Sequence, residues 1–300
     1  MRPRKRAEGQ TPRIGVWAAS TEKRLLGFAG YKAGMTTVSY IDDSTSPNAG
    51  NEIFGAVTVL EVPPMMVYGV RGMKYGQTLA DELTTDEKIL KILGNKPKAK
   101  NKLEPSSVSE IFVLAYAQSH KTGFGRKHPD KMMIAVGGKD MAEKLDYARS
   151  LVGKEIKASE VFKPGEYVDA VAITTGKGWQ GAVKRHGIMT QRRKATGKVR
   201  HAGTLGAWHP GYVLYTVPHA GQMGYHKRTE MNKRVMKMVE PAAINPRGGF
   251  PHYGVVKNEC ILIKGSLNGP VKRLVRLRKA VRKSEVKAPD MRDISLQPKN

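Results

Sequence analysis

The hexapeptide Gly176-Lys177-Gly178-Trp179-Gln180-Gly181 has the spacing of a dinucleotide-binding turn and follows a strand-like run over residues 167–175. In that motif the glycines admit a pyrophosphate, a helix opens behind them, and an acid about twenty residues on holds the ribose. Here the continuation is Ala182-Val183-Lys184-Arg185-His186-Gly187, bulky Trp179 crowds the turn, and no Asp or Glu occurs before Glu230. The cofactor reading therefore lacks its ribose partner, and no GxxxxGKS or GxxxxGKT string exists to cradle a triphosphate. Five histidines, at 186, 201, 209, 219 and 226, are metal ligands by type, but none form HExxH and no carboxylate lies among them to orient an imidazole. The single cysteine, Cys260, sits in the apolar run Glu259-Cys260-Ile261-Leu262-Ile263 and reads as a small core hydrophobe. There is no GxSxG nucleophile turn, and paired carboxylates for acid–base or magnesium-dependent phosphoryl chemistry are missing from the basic stretch. No catalytic residue, metal or cofactor is expected.

The same stretch is suited to binding. Residues 176–237 carry thirteen Lys or Arg, ten Gly, the aromatics Trp179, Trp208, Tyr212, Tyr215 and Tyr225, and a single acid, Glu230. Such a segment repels itself in isolation, whereas a phosphate backbone neutralises the cations and releases condensed counterions. Aromatic and guanidinium planes stack on unpaired bases, and glycines allow close backbone approach. A solvated loop is the ordinary fate of short charge runs, but the length and one-sidedness of this one oppose it. RNA contacts are expected from Lys177, Trp179, Lys184, Arg185, His186, Arg192, Arg193, Lys194, Lys198, Arg200, His201, Trp208, His209, Tyr225, His226, Lys227 and Arg228, and from Arg2, Arg4, Lys5 and Arg6 of an N-terminal arm. A core role for Trp208 is disfavoured by its neighbours Gly206, His209, Pro210 and Gly211.

Across 300 residues, 52 Lys and Arg stand against 26 Asp and Glu, a net charge of +26 that implies a permanent anionic partner. With 40% hydrophobic residues there is also material for a core and one or two domains. Residues 81–160 hold fifteen bases and twelve acids, the balance of an ordinary folded module. Neither a signal peptide nor an apolar run near the roughly twenty residues of a membrane span is present, so a cytoplasmic location is expected, with no membrane and no small-molecule substrate. Charge alone leaves anionic lipid open as a ligand, although glycines dispersed among the charges do not describe an amphipathic helix.

The elements that must position these residues divide the chain. Residues 1–24 form a basic extension that needs a partner to be ordered, with order beginning near Leu25. Residues 25–77 begin a β core, with strands at 56–62 and 65–70 around Pro63-Pro64. Residues 78–153 read as an inserted α/β domain. Thr84-Thr85-Asp86-Glu87 is a capping box opening a helix through Ile89, Leu90 and Leu93 to Gly94; strands follow at 111–116 and 132–136. A second helix covers about 140–152, with Met141, Leu145, Ala148 and Val152 on one stripe. The core resumes over 154–178, yields to a basic loop at 179–253 expected to lack structure until bound, and returns over 254–283 before a tail at 284–300. Helix and strand both fit 271–282; strand is favoured because Val271, Val275 and Leu277 share a parity and a hairpin turn, Leu267-Asn268-Gly269-Pro270, precedes them. The fold class is mainly β with an α/β insertion, and the short strands and Gly/Pro turns suggest a small barrel.

At every spacing, Phe162, Asp169, Ala172, Thr174, Gly176, Lys177, Gly178, Gly181 and Arg185 resemble the signature of the universal large-subunit ribosomal protein three family. Gly30-Tyr31-Lys32-Ala33-Gly34-Met35-Thr36, Gly206-Ala207-Trp208-His209-Pro210, the run from Ala220 through Thr229, and Gly248-Gly249-Phe250-Pro251-His252-Tyr253-Gly254 look like further landmarks. The form resembles the archaeal branch, stopping at Asn300 without the longer extension of eukaryotic members. The resemblance implies a six-stranded closed β-barrel on the subunit surface and a long loop penetrating large-subunit rRNA toward the peptidyl transferase centre, with Trp208 near its inner tip. It also implies a non-enzymatic constituent, bound near the rRNA 3′ end and acting early in assembly, beside large-subunit proteins fourteen and twenty-four (archaeal/eukaryotic type). Thr196 stands where eukaryotic members tend to have a histidine, so a modification at that histidine is not carried over. An RNA-modifying enzyme and a free RNA chaperone are the rival readings.

Overall fold

The structure, a computed structural model, describes residues 3–94, 103–195, 197 and 199–297; Arg2, Thr196 and Lys198 lie outside the described residues. β1 (Gly27–Ile41) and β2 (Glu52–Glu61) form a long antiparallel hairpin. Pro63 and Pro64 offer no N–H to a ladder, and the chain leaves this sheet there. β3 (Met65–Lys74), β4 (Gln77–Leu83), β5 (Glu110–Ala117) and β6 (Asp130–Ala135) make a second sheet in the order β4-β3-β5-β6, with β7 (Glu155–Ile156) on β3. The departure point is thus the proline pair, not residue 78.

The second sheet is covered on both faces because β5 is apolar at both parities. Leu114 and Tyr116 meet Ile89 and Leu93 of α1 (Glu87–Leu93), while Val113 and Ala115 join the main core with Leu145 and Ala148 of α2 (Met141–Leu151). The cap of α1 is Asp86, whose carboxylate accepts from the Lys88 N–H at 3.0 Å; Thr84 accepts instead from Asp86. The expected box is displaced by two residues, while Gly94 closes the helix with φ +63° as anticipated.

After α3 (Ala158–Val161) the chain returns to the first sheet as β8 (Tyr167–Ile173). The two-residue β9 (Trp179–Gln180), α4 (Ala182–His186) and β10 (Gly221–Gln222) then precede β11 (Lys227–Val239), β12 (Cys260–Lys264), β13 (Leu274–Lys279) and β14 (Met291–Ile294). Six antiparallel strands pair in a cycle, β1-β2-β12-β11-β8-β13 and back to β1, and β14 adds to the far end of β1. Three expectations are corrected here. Residues 227–239, assigned to the basic loop, form a strand between β8 and β12, with Val235 and Met236 buried. The run 271–282 holds a strand, yet Leu267–Pro270 is not a hairpin turn, since β12 pairs with β11 and β2 while β13 pairs with β1 and β8. Part of the tail pairs with β1, with Ser295 donating to the Thr37 carbonyl at 2.9 Å.

The N-terminal arm is the largest correction, for its partner is the protein itself. Alternation on β13 buries Val275 and Leu277 on one face and sends Arg276 and Arg278 to the other. The arm covers those guanidiniums. Arg276 donates to the Pro12 carbonyl at 2.8 Å and to the Met133 carbonyl, and Arg278 donates to the Val16 carbonyl. Ile14 is buried beside them. Burial pushes the Arg276 pKa down to about 10, so it stays charged at neutral pH and depends on those main-chain acceptors. Among the described residues no helix is long and apolar enough to cross a membrane.

Arg278 also donates to Asp169 Oδ2 from Nε and Nη2, at 3.1 and 2.9 Å, and Asp169 is 1% exposed. Removing one member of a buried pair strands the other charge, which costs about 3 to 5 kcal/mol. Asp169→Ala is accordingly expected to lower stability by that amount, read as a reduced urea midpoint at unchanged slope.

Asp43 receives both Arg234 Nη groups, at 2.8 and 2.6 Å, which hold its carboxyl down at about 2. The folded pKa lies below the unfolded value of about 4, so the stability it contributes is full above that value and is lost as pH falls toward 2. Asp43→Asn should flatten the acid limb of the stability profile between about pH 4 and 2. An acid limb as steep as wild type would mean that this pair carries no proton linkage.

Candidate nucleic-acid interface

The basic loop leaves the first sheet after β8 and returns on β11, and its two legs are clasped where they part. β9 pairs with β10, Trp179 opposite Gln222 and Gln180 opposite Gly221. α4 starts after Gly181 and stops at Gly187, whose φ is +70°, so the Gly-rich turn opens five helical residues and no long dinucleotide helix. Arg185 reaches from α4 to the other leg, donating from Nε to the Gln222 carbonyl at 3.1 Å and from Nη1 to the His219 carbonyl at 3.0 Å. A Cβ on Gly221 would lie 2.9 Å from that guanidinium carbon, so a side chain there would displace the arginine tip. Gly224, with φ +71°, leaves no room for a side chain: its Cβ would fall 2.0 Å from the Thr175 carbonyl oxygen. From this neck Lys177 and Trp179 face solvent, Trp179 with 76% of its surface exposed.

The arm crosses the same neck. Ala7 donates to the Tyr225 carbonyl at 2.8 Å, and His226 Nδ1 lies 2.9 Å from the Lys5 carbonyl. The Arg4 guanidinium lies on the His186 ring. Partial burial, then the Arg4 and Arg185 charges, hold the His186 imidazole below its ordinary pKa, favouring the neutral ring beside the two arginines. Arg4, Lys5, Arg6, Lys184 and Lys227 are exposed, while Arg185 and Arg228 are half-buried. His226 corrects the sequence reading: it is buried and engaged with the arm, so its ring is not part of the outer surface. Tyr225 is half-buried at φ +53°, with the Arg273 guanidinium 5.5 Å from its ring centre, so its ring already has a cation partner.

Beyond the neck little holds the chain. Among the described residues of 188–218 the hydrogen bonds are internal: Gln191 to the Val199 carbonyl, Ala195 to that of Arg192, and Val217 to that of Leu214. Arg192, Arg193, Lys194, Arg200, His201 and His209 are exposed. So are Leu205, Trp208, Tyr212, Val213, Leu214 and Tyr215, with Trp208 at 89%. Large apolar and aromatic side chains left exposed together within one short segment are candidates for contact with a partner. Tyr212 and Tyr215 add two planar rings to the expected site; their sequence signal was aromatic spacing within a segment too polar to form a core. No cluster of three His, Cys, Asp or Glu able to hold a metal occurs among the described residues.

Comparison with known proteins agrees with this geometry over nearly the whole length. The family model described as ribosomal protein L3 matches residues 1–103 and 98–297. The large ribosomal subunit protein uL3 of Methanobrevibacter smithii is 45% identical over 315 residues, covering 98% of this chain and 93% of that one. The uL3 proteins of Archaeoglobus fulgidus and Methanothrix thermoacetophila are each 46% identical, over 93% and 96% of this chain and 89% and 91% of theirs. Identity at this level extends through the arm, both sheets and the loop, and on that footing the chain belongs to the ribosomal protein L3 family.

Proposed function

We propose that this protein is a structural constituent of the large ribosomal subunit, cytoplasmic with that subunit, and bound to large-subunit rRNA near its 3′ end. The observation that carries the reading is the loop of 188–218, where exposed cations and exposed ring planes coincide on a chain with few internal hydrogen bonds. Only a polyanion with stackable faces meets both requirements at once. We further infer that the cyclic pairing of six strands is a closed barrel at the subunit surface and that the second sheet is an inserted α/β domain. Arg4, Lys5, Arg6, Lys177, Lys184, Arg192, Arg193, Lys194 and Arg200 meet phosphate, while Trp179 and Trp208 offer stacking faces. The loop runs inward toward the peptidyl transferase centre, where Trp208 buttresses RNA that itself carries out peptide transfer. Large-subunit proteins fourteen and twenty-four adjoin the barrel. The family is not enzymatic; stoichiometric recovery in salt-washed subunits separates a constituent from a free chaperone.

Ordering such a loop falls to the RNA, and amide exchange on the free protein reads this directly. Fast exchange is expected across 188–218, with slow exchange in β8, β11 and β12. Strong protection throughout 188–218 without RNA would contradict an RNA-ordered loop.

Stacking of an aromatic on a base is worth about 1 to 3 kcal/mol by alanine substitution. That is too little to prevent assembly against many phosphate contacts, but enough to shift a local RNA equilibrium. Subunits with Trp208→Ala are expected to incorporate the protein at near-normal stoichiometry and to show altered aminoacyl-tRNA binding or altered sensitivity to peptidyl-transferase inhibitors. Failure to incorporate would mark Trp208 as an anchoring residue, and wild-type behaviour in both assays would remove its functional role.

A further inference from the structure

The landmark run at 248–254, assigned from sequence mostly to the basic loop, lies beyond β11 and outside it, and the fold joins it to the charge-balanced second sheet. Asn258 donates from Nδ2 to the Lys121 carbonyl at 3.1 Å, and the Phe124 and Tyr253 rings pack with centroids 5.3 Å apart. A Cβ on Gly123 would fall 2.6 Å from the Val255 carbonyl oxygen, so the two backbones touch. Residues 119–128 and 246–258 thereby form one surface at the junction of the sheets.

Both halves are fixed from beneath. Glu61, fully buried on β2, accepts from the Lys257 and Asn258 backbone N–H groups at 3.0 Å, from Asn258 Nδ2 at 2.7 Å, and from the Tyr253 hydroxyl. Phe250 and Gly254 exchange backbone hydrogen bonds of 2.9 Å, closing a turn that holds His252 at φ +60°. On the other side Ser119 Oγ donates to the His128 carbonyl at 2.9 Å, and Arg126 pairs with buried Asp130 at 2.6 Å. Lys121 is likewise neutralised, by Glu155 at 2.7 Å.

What remains outward is basic. Lys127, Arg247 and Lys257 are exposed and enter no ion pair among the described residues, and His120, His128 and His252 are exposed with them. Glu240 and Glu259 border the adjoining cleft with Lys257 without an ion pair to it. Exposed Gly123, Gly125 and Gly248 leave the backbone open to close approach by a ligand. We infer that this junction is a second, preformed seat for RNA phosphate, separate from the loop. The inference rests on the RNA-bound reading above and adds a site to it. A seat built on a hydrogen-bonded frame binds without the ordering cost of a loose segment, so it engages the same RNA while the loop is still unordered. Glycine-lined backbone between dispersed cations suits a phosphate chain, which tracks along a surface, better than an acidic protein side chain.

The test is filter binding of the full chain to a transcript of archaeal large-subunit rRNA over a salt series. The variant Lys127→Ala/Arg247→Ala/Lys257→Ala should lower the salt slope by about 2 to 3, at about 0.7 to 0.9 per phosphate contact, with an unchanged unfolding midpoint. Arg192→Ala/Arg193→Ala/Arg200→Ala should lower it by a similar amount, and the combined variant by the sum. The charge-keeping variant Lys127→Arg/Arg247→Lys/Lys257→Arg should retain the wild-type slope. A wild-type slope in the junction variant beside a reduced one in the loop variant overturns the junction seat and leaves RNA binding intact. Unchanged slopes in both overturn the RNA reading itself. A charge-keeping variant as impaired as the alanine variant makes the effect structural and removes the seat.

Discussion

The Asp169 carboxylate is the point on which the rest of the molecule turns. One oxygen takes Arg278 of β13, directly opposite it in the ladder, and the other takes the Asn232 backbone N–H at 3.0 Å. Asn232 sits at φ +56° in the irregularity between Glu230 and Lys233, where β11 slips register against β8. A single buried side chain therefore joins the strand that enters the basic loop, the strand that leaves it and the strand whose arginines hold the arm. Arg278 extends the connection to the arm through the Val16 carbonyl. Buried charge is tolerated here because every partner is in place.

A chain with a net charge of +26 has to dispose of its cations in two ways, and the fold separates them. Arg276, Arg278 and Arg234 are buried and held by carbonyls or carboxylates, so they organise the protein and are closed to a ligand. The cations of the neck, the loop and the sheet junction face outward. Composition counts both populations alike, so the basic run at 271–283 does not reveal that its Arg276 and Arg278 are buried beneath the arm.

The outward set is itself divided by rigidity. At the neck, Arg185 ties the two legs together and Gly224 holds them at a separation that a larger residue there would break. Past it the described residues have no such fixtures, and the rings of Trp208, Tyr212 and Tyr215 lie exposed. Fixed geometry at the base with a compliant end lets a protein hold one place on a folded RNA while the end conforms to local structure.

Periodicity and punctuation were enough to find both long helices, the strands at 111–116 and 132–136 and the stop at Gly94, because those signals are local, while β4 and β7 of the second sheet were missed. The signature from Phe162 to Arg185 and the one-sided charge of the loop were equally legible, since spacing and composition are properties of the chain alone. What escaped was anything decided by pairing across distance. The arm read as disordered because its partners, the Arg276 and Arg278 guanidiniums, stand more than 250 residues away and donate to main-chain carbonyls that sequence does not distinguish. β11 read as loop because its hydrogen bonds are supplied by β8 and β12, not by its own apolar pattern. His226 read as a ligand-facing histidine because residue type is silent about burial. Sequence by itself determined the family, the charge and the local elements; tertiary structure decided which cations are free, because freedom depends on what covers a side chain.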